Sequence, residues 1–307
     1  MDQSMVFSHE LDNKYIETNY IKKLTNRALA YLNAGYAIHL SGVSGVGKSA
    51  LAFNIAKKLE RPFVYMCGNE DLSNNDLVGG EFGVKRKVLV DNYIKSVFSK
   101  EEEIKKLWVD GRLIEACKNG YTLIYDEFTR AKPEANNILL SVLEEKIIEM
   151  PNLNSAEPYL KVHPNFKAIF TSNPQEYAGV YKSPSALLDR MITIHMTNVD
   201  INDQEAILIA QSGINKQNAH KIIQISKFIR NSNKDGSWAS LRSSIMLANV
   251  VKTLGLSMDP KNVEFRDMCK DIYNSSSSIS GLNAADRIKY NKLIDEAINT
   301  VFGEIEE

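Results

Sequence analysis

Over the first two-thirds of the chain, short uninterrupted apolar runs alternate with amphipathic stretches. Tyr36–Leu40, Pro62–Cys67, Tyr121–Asp126, Phe166–Ser172 and Met191–Met196 each have the pattern of a strand buried on both faces. Ile21, Leu24, Ala28 and Leu32 recur at helical spacing and predict a helix that stops at Gly35. A glycine-rich turn at residues 41–49 leads into a second apolar-periodic helix, and a third is predicted from Pro133 to about Lys146. Strands alternating with helices require crossover connections and hence a parallel sheet. The texture changes near Thr197–Asp200: residues 203–254 and 284–302 are helical by pattern, with no convincing strand. The expectation is an α/β/α sandwich with a parallel sheet, followed by a smaller all-helical lid. Its parts are an N-terminal arm and helix (1–35), a nucleotide-binding α/β domain (36–198) and the lid (199–307).

Other segments are less regular. A loop, a basic knot at Lys85–Lys87 and an amphipathic charged stretch from Asn92 to Cys117 lie between Gly68 and Gly120. Ile147–Met150 and Tyr159–Val162, around a loop at Pro151–Pro158, read as a hairpin. Ser275–Gly281 (SSSSISG) reads as a flexible connector.

Composition narrows the class. The chain has 307 residues, a formal net charge of -1, 44% hydrophobic and 24% charged residues. These values suit a folded globular protein and exclude wholesale disorder. The balanced charge removes the expectation of a nucleic-acid binder, and no apolar run is long enough to span a membrane. The polar start, MDQSMVFSHELDNKY, lacks the apolar region of a secretory signal. Cys67, Cys117 and Cys269 are few and widely spaced, which fits a reducing cytoplasm and no disulfide framework. Cys67 is expected in the core. His39 and His195 lie inside predicted strands, with no spacing that suggests a metal site.

The chemistry begins at Gly42-Val43-Ser44-Gly45-Val46-Gly47-Lys48-Ser49, a full G-x-x-x-x-G-K-[ST] loop between a strand and a helix. Glycines allow positive φ and close approach of backbone N–H groups to phosphate oxygens. Lys48 is suited to the β- and γ-phosphates, and the Ser49 hydroxyl to Mg²⁺. A chance glycine turn would not require both flanking elements.

Two acids end the third apolar strand. At the carboxyl edge of such a sheet, Asp126 is suited to hold Mg²⁺ and Glu127 to polarise an attacking water. Asn173 ends the fourth strand, where its amide could orient that water or touch the γ-phosphate. By itself it is a turn amide before proline. Arg190, just before the fifth strand, could reach a neighbouring subunit's phosphate, or it could simply pair with Asp189.

The order GVSGVGKS, TLIYDE, FTSNP, LLDR and then Ala239-Ser240-Leu241-Arg242 resembles the AAA+ ATPases, in particular their MoxR-like branch. DLVGGEFGVKRKVLVDNYIKSV and YTLIYDEFTRAKPEANNILLSVLEEKI are similar, more narrowly, to the gas vesicle GvpN family. The resemblance covers roughly residues 20–300. It implies ATP and Mg²⁺ as ligands, with Lys48 and Ser49 as Walker A, Asp126 and Glu127 as Walker B, Asn173 as sensor 1, Arg190 as arginine finger and Arg242 as sensor 2. It implies a homo-oligomeric ring, usually a hexamer, with ATP at subunit boundaries. Glu81–Lys87 and Lys146–Phe166 would be insertions facing the pore or surface. The implied role is ATP-driven remodelling during gas vesicle assembly or enlargement, with the shell protein and other assembly proteins as partners. A nucleotide-gated adaptor and another MoxR-like metal-insertion chaperone are the alternatives; Glu127 argues against the first and the DEFTRAKPEANN run against the second. Arg130 stays outside the catalytic set.

Overall fold

The structure is a computed structural model that describes residues 6–7, 15–88, 101–150, 158–174, 185–232, 239–275 and 284–303. The pieces follow in this order: β1 (Val6–Phe7), α1 (Asn19–Asn33), β2 (Ala37–Ser41), α2 (Lys48–Lys58) and β3 (Phe63–Cys67). Next come α3 (Asn74–Val78), β4 (Gly79–Val88), β5 (Glu101–Asp110), α4 (Arg112–Asn119) and β6 (Thr122–Asp126). A 3₁₀ turn (Phe128–Arg130), α5 (Pro133–Asn136), α6 (Ile138–Leu143), β7 (Ile147–Glu149), β8 (Tyr159–Lys161) and β9 (Lys167–Ser172) follow. The chain then forms α7 (Ser185–Leu188), β10 (Met191–His195), α8 (Ile201–Ser212) and α9 (Lys216–Ser232). It continues with α10 (Leu241–Leu254), α11 (Val263–Asn274) and α12 (Ala284–Gly303).

The five expected strands pair in parallel in the order β3-β6-β9-β2-β10. The sheet is not wholly parallel, because β1 adds an antiparallel edge to β3. Alternate residues of one strand feed different cores. Leu123 and Tyr125 join Val64, Met66, Ala168 and Phe170 against α4, α5 and α6. Ile124 and Ile169 join Ile38, Leu40 and Ile194 against α1 and α2. Both faces are therefore covered, which is why these strands read as continuous apolar runs.

The helix expected from Pro133 to Lys146 is two shorter helices meeting at Asn137. Beside the break, the buried Asn136 amide accepts from Tyr125 Oη at 2.9 Å and donates to the Phe128 carbonyl at 3.1 Å. That bond pins the start of this segment to β6. The amphipathic charged stretch supplies β5, which pairs with β4 in a long antiparallel hairpin, and then most of α4. Its register sets Arg86 opposite Glu103 and Lys87 opposite Glu102. The hairpin expected before β9 is present as β7 and β8. The loop at Pro151–Pro158 and the connector at Ser275–Gly281 lie outside the described residues except for Pro158 and Ser275.

From Ile201 onward the described residues form helices joined by turns and build their own core around Leu208, Ile222, Leu247, Phe265, Tyr273 and Ile298. Among the described residues, no helix is long and apolar enough to cross a membrane.

Candidate nucleotide site

The turn between β2 and α2 takes its shape from Gly45 (φ +81°) and Gly47 (φ +91°), values that L side chains rarely adopt. A Cβ on Gly45 would also stand 2.6 Å from Ser240 Cβ. The loop is thus pressed against the residue that N-caps α10. Lys48, the first residue of α2, is buried, and its Nζ donates to the carbonyls of Gly42 and Val43, both at 2.8 Å.

The next residue reaches the acidic edge. Ser49 Oγ donates to both Asp126 oxygens at 2.9 Å. Tyr65 Oη donates to the same carboxylate at 3.2 Å, and Thr171 Oγ1 donates to it by a short bond. The Thr171 oxygen in turn accepts the Glu127 N–H at 2.9 Å. This matters because Glu127 sits in the left-handed region (φ +50°), where a non-glycine backbone needs support. Gly68 leaves room for that turn, since a Cβ there would stand 2.3 Å from the Glu127 carbonyl oxygen. The Glu127 carboxylate meets Arg130 Nε at 2.8 Å.

Gly45, Val46, Gly47, Lys48, Ser49, Asp126, Glu127 and Arg242 together line a cavity of about 360 Å³. Gly42, Asn173 and Arg190 do not line it. Gly42 lies next to it, its N–H directed at the Ser172 carbonyl at 3.3 Å, and Asn173 is buried just past β9. Arg190 pairs not with Asp189 but with Glu144, Nε to Oε2 at 2.6 Å, and Nη1 donates to the Ala186 carbonyl at 2.5 Å. The oxygen-only set of Ser49 and Asp126, beside Lys48, suits a hard cation carried with phosphates. Among the described residues, no cluster of His, Cys, Asp and Glu could hold a metal by itself.

Several contributors were not anticipated. Thr171, near the end of β9, and Tyr65, in the middle of β3, act across the sheet, and their only sequence signal is a place on strands next to the acidic one. Tyr15, Ile16, Tyr20 and Ile21 form part of the cavity wall from the N-terminal arm. Glu17 anchors that arm: it meets Lys58 Nζ at 2.6 Å and accepts from Asn54 at 3.2 Å. Partial burial opposes its charge, but these bonds prevail and hold its carboxyl below the usual range. Val199, Ile207 and Met246 close the side toward the helical region. Cys67, expected in the core, is exposed, because β3 ends there at the open edge of the sheet. His39 bridges neighbouring strands, Nε2 to Ser172 Oγ at 2.8 Å and Nδ1 to Thr193 Oγ1 at 3.1 Å. Burial, and then His195, push its pKa down to about 4, so it is neutral at pH 7.

The AAA domain (dynein-related subfamily) matches residues 37–191. Gas vesicle ATPase GvpN of Ancylobacter aquaticus is 41% identical over 261 residues, covering 85% of this chain and 73% of that one. This chain belongs to the GvpN family. A second GvpN, from Haloferax mediterranei, is 33% identical over 294 residues, covering 95% of this chain and 81% of its own. A solved structure of Thermotoga maritima RuvB has a TM-score of 0.52 at 16% identity, covering 93% of this chain and 82% of that chain, a likeness of fold alone. The GvpN family thus brings a nucleotide-binding AAA+ fold, with a helical C-terminal region, to the cavity described above.

Thr171→Val keeps the shape of the side chain and removes the hydroxyl shared by Asp126 and Glu127. It leaves a buried carboxylate short of a donor and the partly buried Glu127 N–H without that acceptor. The expected loss of stability is about 1–3 kcal/mol in urea unfolding. An unchanged midpoint and slope would show that the hydroxyl does not hold this turn.

Proposed function

We propose that this chain binds Mg·ATP at the P-loop cavity, hydrolyses it, and uses the turnover to remodel protein in gas vesicle assembly or enlargement. The observation that carries the reading is the direct contact of Ser49 with Asp126 beside Lys48, in one cavity with Glu127 and Arg242. The name of its relatives, gas vesicle ATPase, supports the reaction and the setting. Its implied partners are the vesicle shell protein and other assembly proteins, and its implied location is the cytoplasm, at the vesicle.

The residues divide the work as follows. Lys48 exchanges two carbonyl acceptors for phosphate oxygens, a stronger charge-assisted bond. Ser49 and Asp126 would hold Mg²⁺, which, when bound, offsets phosphate charge. Glu127 turns from Arg130 to accept a proton from the attacking water. Asn173, at the adjoining strand end, orients that water or the γ-phosphate. Arg242, at the start of α10, meets the phosphates from the helical side. Arg190 acts on a neighbouring subunit in a ring; its place outside its own chain's cavity, paired with Glu144, supports this. The three-part division at residues 1–35, 36–198 and 199–307 belongs to the same proposal, supported by the separate helical core.

Binding and turnover separate the roles. Lys48→Ala is expected to lose binding of a fluorescent ATP analogue. Glu127→Gln is expected to keep binding and to lower phosphate release by ~10²–10⁴-fold. Wild-type phosphate release from Glu127→Gln would remove the base assignment. Wild-type protein that binds ATP without turnover would favour a nucleotide-gated adaptor.

The trans role of Arg190 has its own test. Loss of an arginine finger costs ~10³–10⁵ in rate in related phosphoryl-transfer systems. Arg190→Ala and Lys48→Ala subunits are each expected to be inactive alone, and activity should reappear when they are mixed. Rings shown by label to be mixed, yet still inactive, would mean that Arg190 does not act between subunits.

A further inference from the structure

The helical region meets the P-loop where Ser240 stands against Gly45, and that contact is held from behind. Ser240 N-caps α10 by accepting from Ser243 N–H, and it stands against Gly45. Arg242, two residues on, lines the cavity. Just before Ser240, the Ala239 carbonyl accepts from Arg230 Nη1 at 2.7 Å. Arg230 lies in the last turn of α9. Its Nη2 donates to Gln204 Oε1 at 3.1 Å. Gln204, buried in α8, uses its amide N–H to bond the Val199 carbonyl at 2.6 Å. Val199 itself lines the cavity where the chain leaves the sheet for the helices.

One guanidinium therefore joins two strips of cavity wall that are far apart in sequence. The planar fork of arginine is suited to this, because it reaches two acceptors in fixed directions where a lysine ammonium reaches as a point charge. Both acceptors named here are neutral oxygens, and burial disfavours the arginine's charged form. A second buried tie lies one turn earlier on α9. Ser226 Oγ is 2.6 Å from Ser244 Oγ on α10 and 2.7 Å from Tyr273 Oη on α11. Together the two ties fix the register of α10 against α9, leaving the start of α10 little freedom to move alone.

We propose that Arg230 is a positioning residue for the nucleotide site, holding the Ala239–Ser240 turn and the Val199 segment so that Arg242 faces the phosphates. The proposal rests on the reading of Arg242 as a phosphate contact. Movement of α10 on the P-loop then carries α8 and α9 with it, because the same guanidinium grips all three.

The test compares Arg230→Met, Arg242→Ala and the double variant in the full-length protein. Affinity for a fluorescent ATP analogue with Mg²⁺, together with kcat and KM for phosphate release, is measured well below each variant's melting temperature. Arg242→Ala is expected to weaken binding about tenfold and Arg230→Met by a comparable factor, with the double variant no weaker than Arg242→Ala alone. Losses that multiply would overturn the proposal, since Arg230 would then act independently of Arg242. Normal affinity in Arg230→Met with impaired Arg242→Ala would also overturn it, while leaving the reading of Arg242 intact. Normal affinity in Arg242→Ala would remove that reading and this proposal together. If Arg230→Met does not fold, Arg230→Lys carries the same comparison: it is expected to lose part of the affinity on the wild-type background and none on the Arg242→Ala background. A lysine variant that loses the same factor on both backgrounds would overturn the proposal.

Discussion

The Asp126 carboxylate is where the molecule converges. It takes hydrogen bonds from Ser49 at the start of α2, Tyr65 on β3 and Thr171 on β9. Each donor comes from a separate crossover unit, and the parallel register brings all three to one edge. A one-residue slip between β6 and β9 would turn Thr171 to the other face and leave the carboxylate with one donor fewer. The same hydroxyl supports the left-handed backbone at Glu127, so the acid proposed for water activation depends on the strand beside it. Packing beneath this edge is dense. Tyr125, Phe128 and Phe170 are fully buried with ring centroids 5.5–6.2 Å apart.

The cavity above that edge is built from three parts of the chain. The P-loop and acidic edge supply charge and polar donors. The N-terminal arm supplies Tyr15, Ile16, Tyr20 and Ile21, and the helical region supplies Ile245, Met246 and Arg242. A nucleotide seated there would touch all three, so its phosphates and base would bear on different elements. That is the physical requirement for coupling hydrolysis to movement: the ligand must have different contacts in the two arrangements.

The five central strands were legible because both faces are buried, so each is a self-contained apolar run. The P-loop was legible because its chemistry is local, with glycines, lysine and serine at fixed spacing. The pairing of β4 with β5 was not, since the charges on these segments come in blocks rather than in strand alternation, and a register such as Lys87 opposite Glu102 is set only when the two strands meet. A two-residue strand such as β1 has no periodicity to detect. Thr171, Tyr65 and Arg230 escaped for a related reason. Each acts through a bond spanning tens of residues or between packed elements, and nothing adjacent in sequence marks it. Lys85–Lys87, expected in an insertion facing the pore or surface, lie on β4 in register with Ile104, Glu103 and Glu102 of β5.

The central claim is that Asp126, with Ser49, forms the cation-holding edge of an ATP site. Calorimetric titration of a non-hydrolysable ATP analogue, with Mg²⁺ and with chelator, tests it on wild type and Asp126→Asn. Mg²⁺ is expected to tighten binding to the wild type and to give no such gain in Asp126→Asn, while metal-free binding persists in both. An equal Mg²⁺ gain in the two proteins would contradict the account.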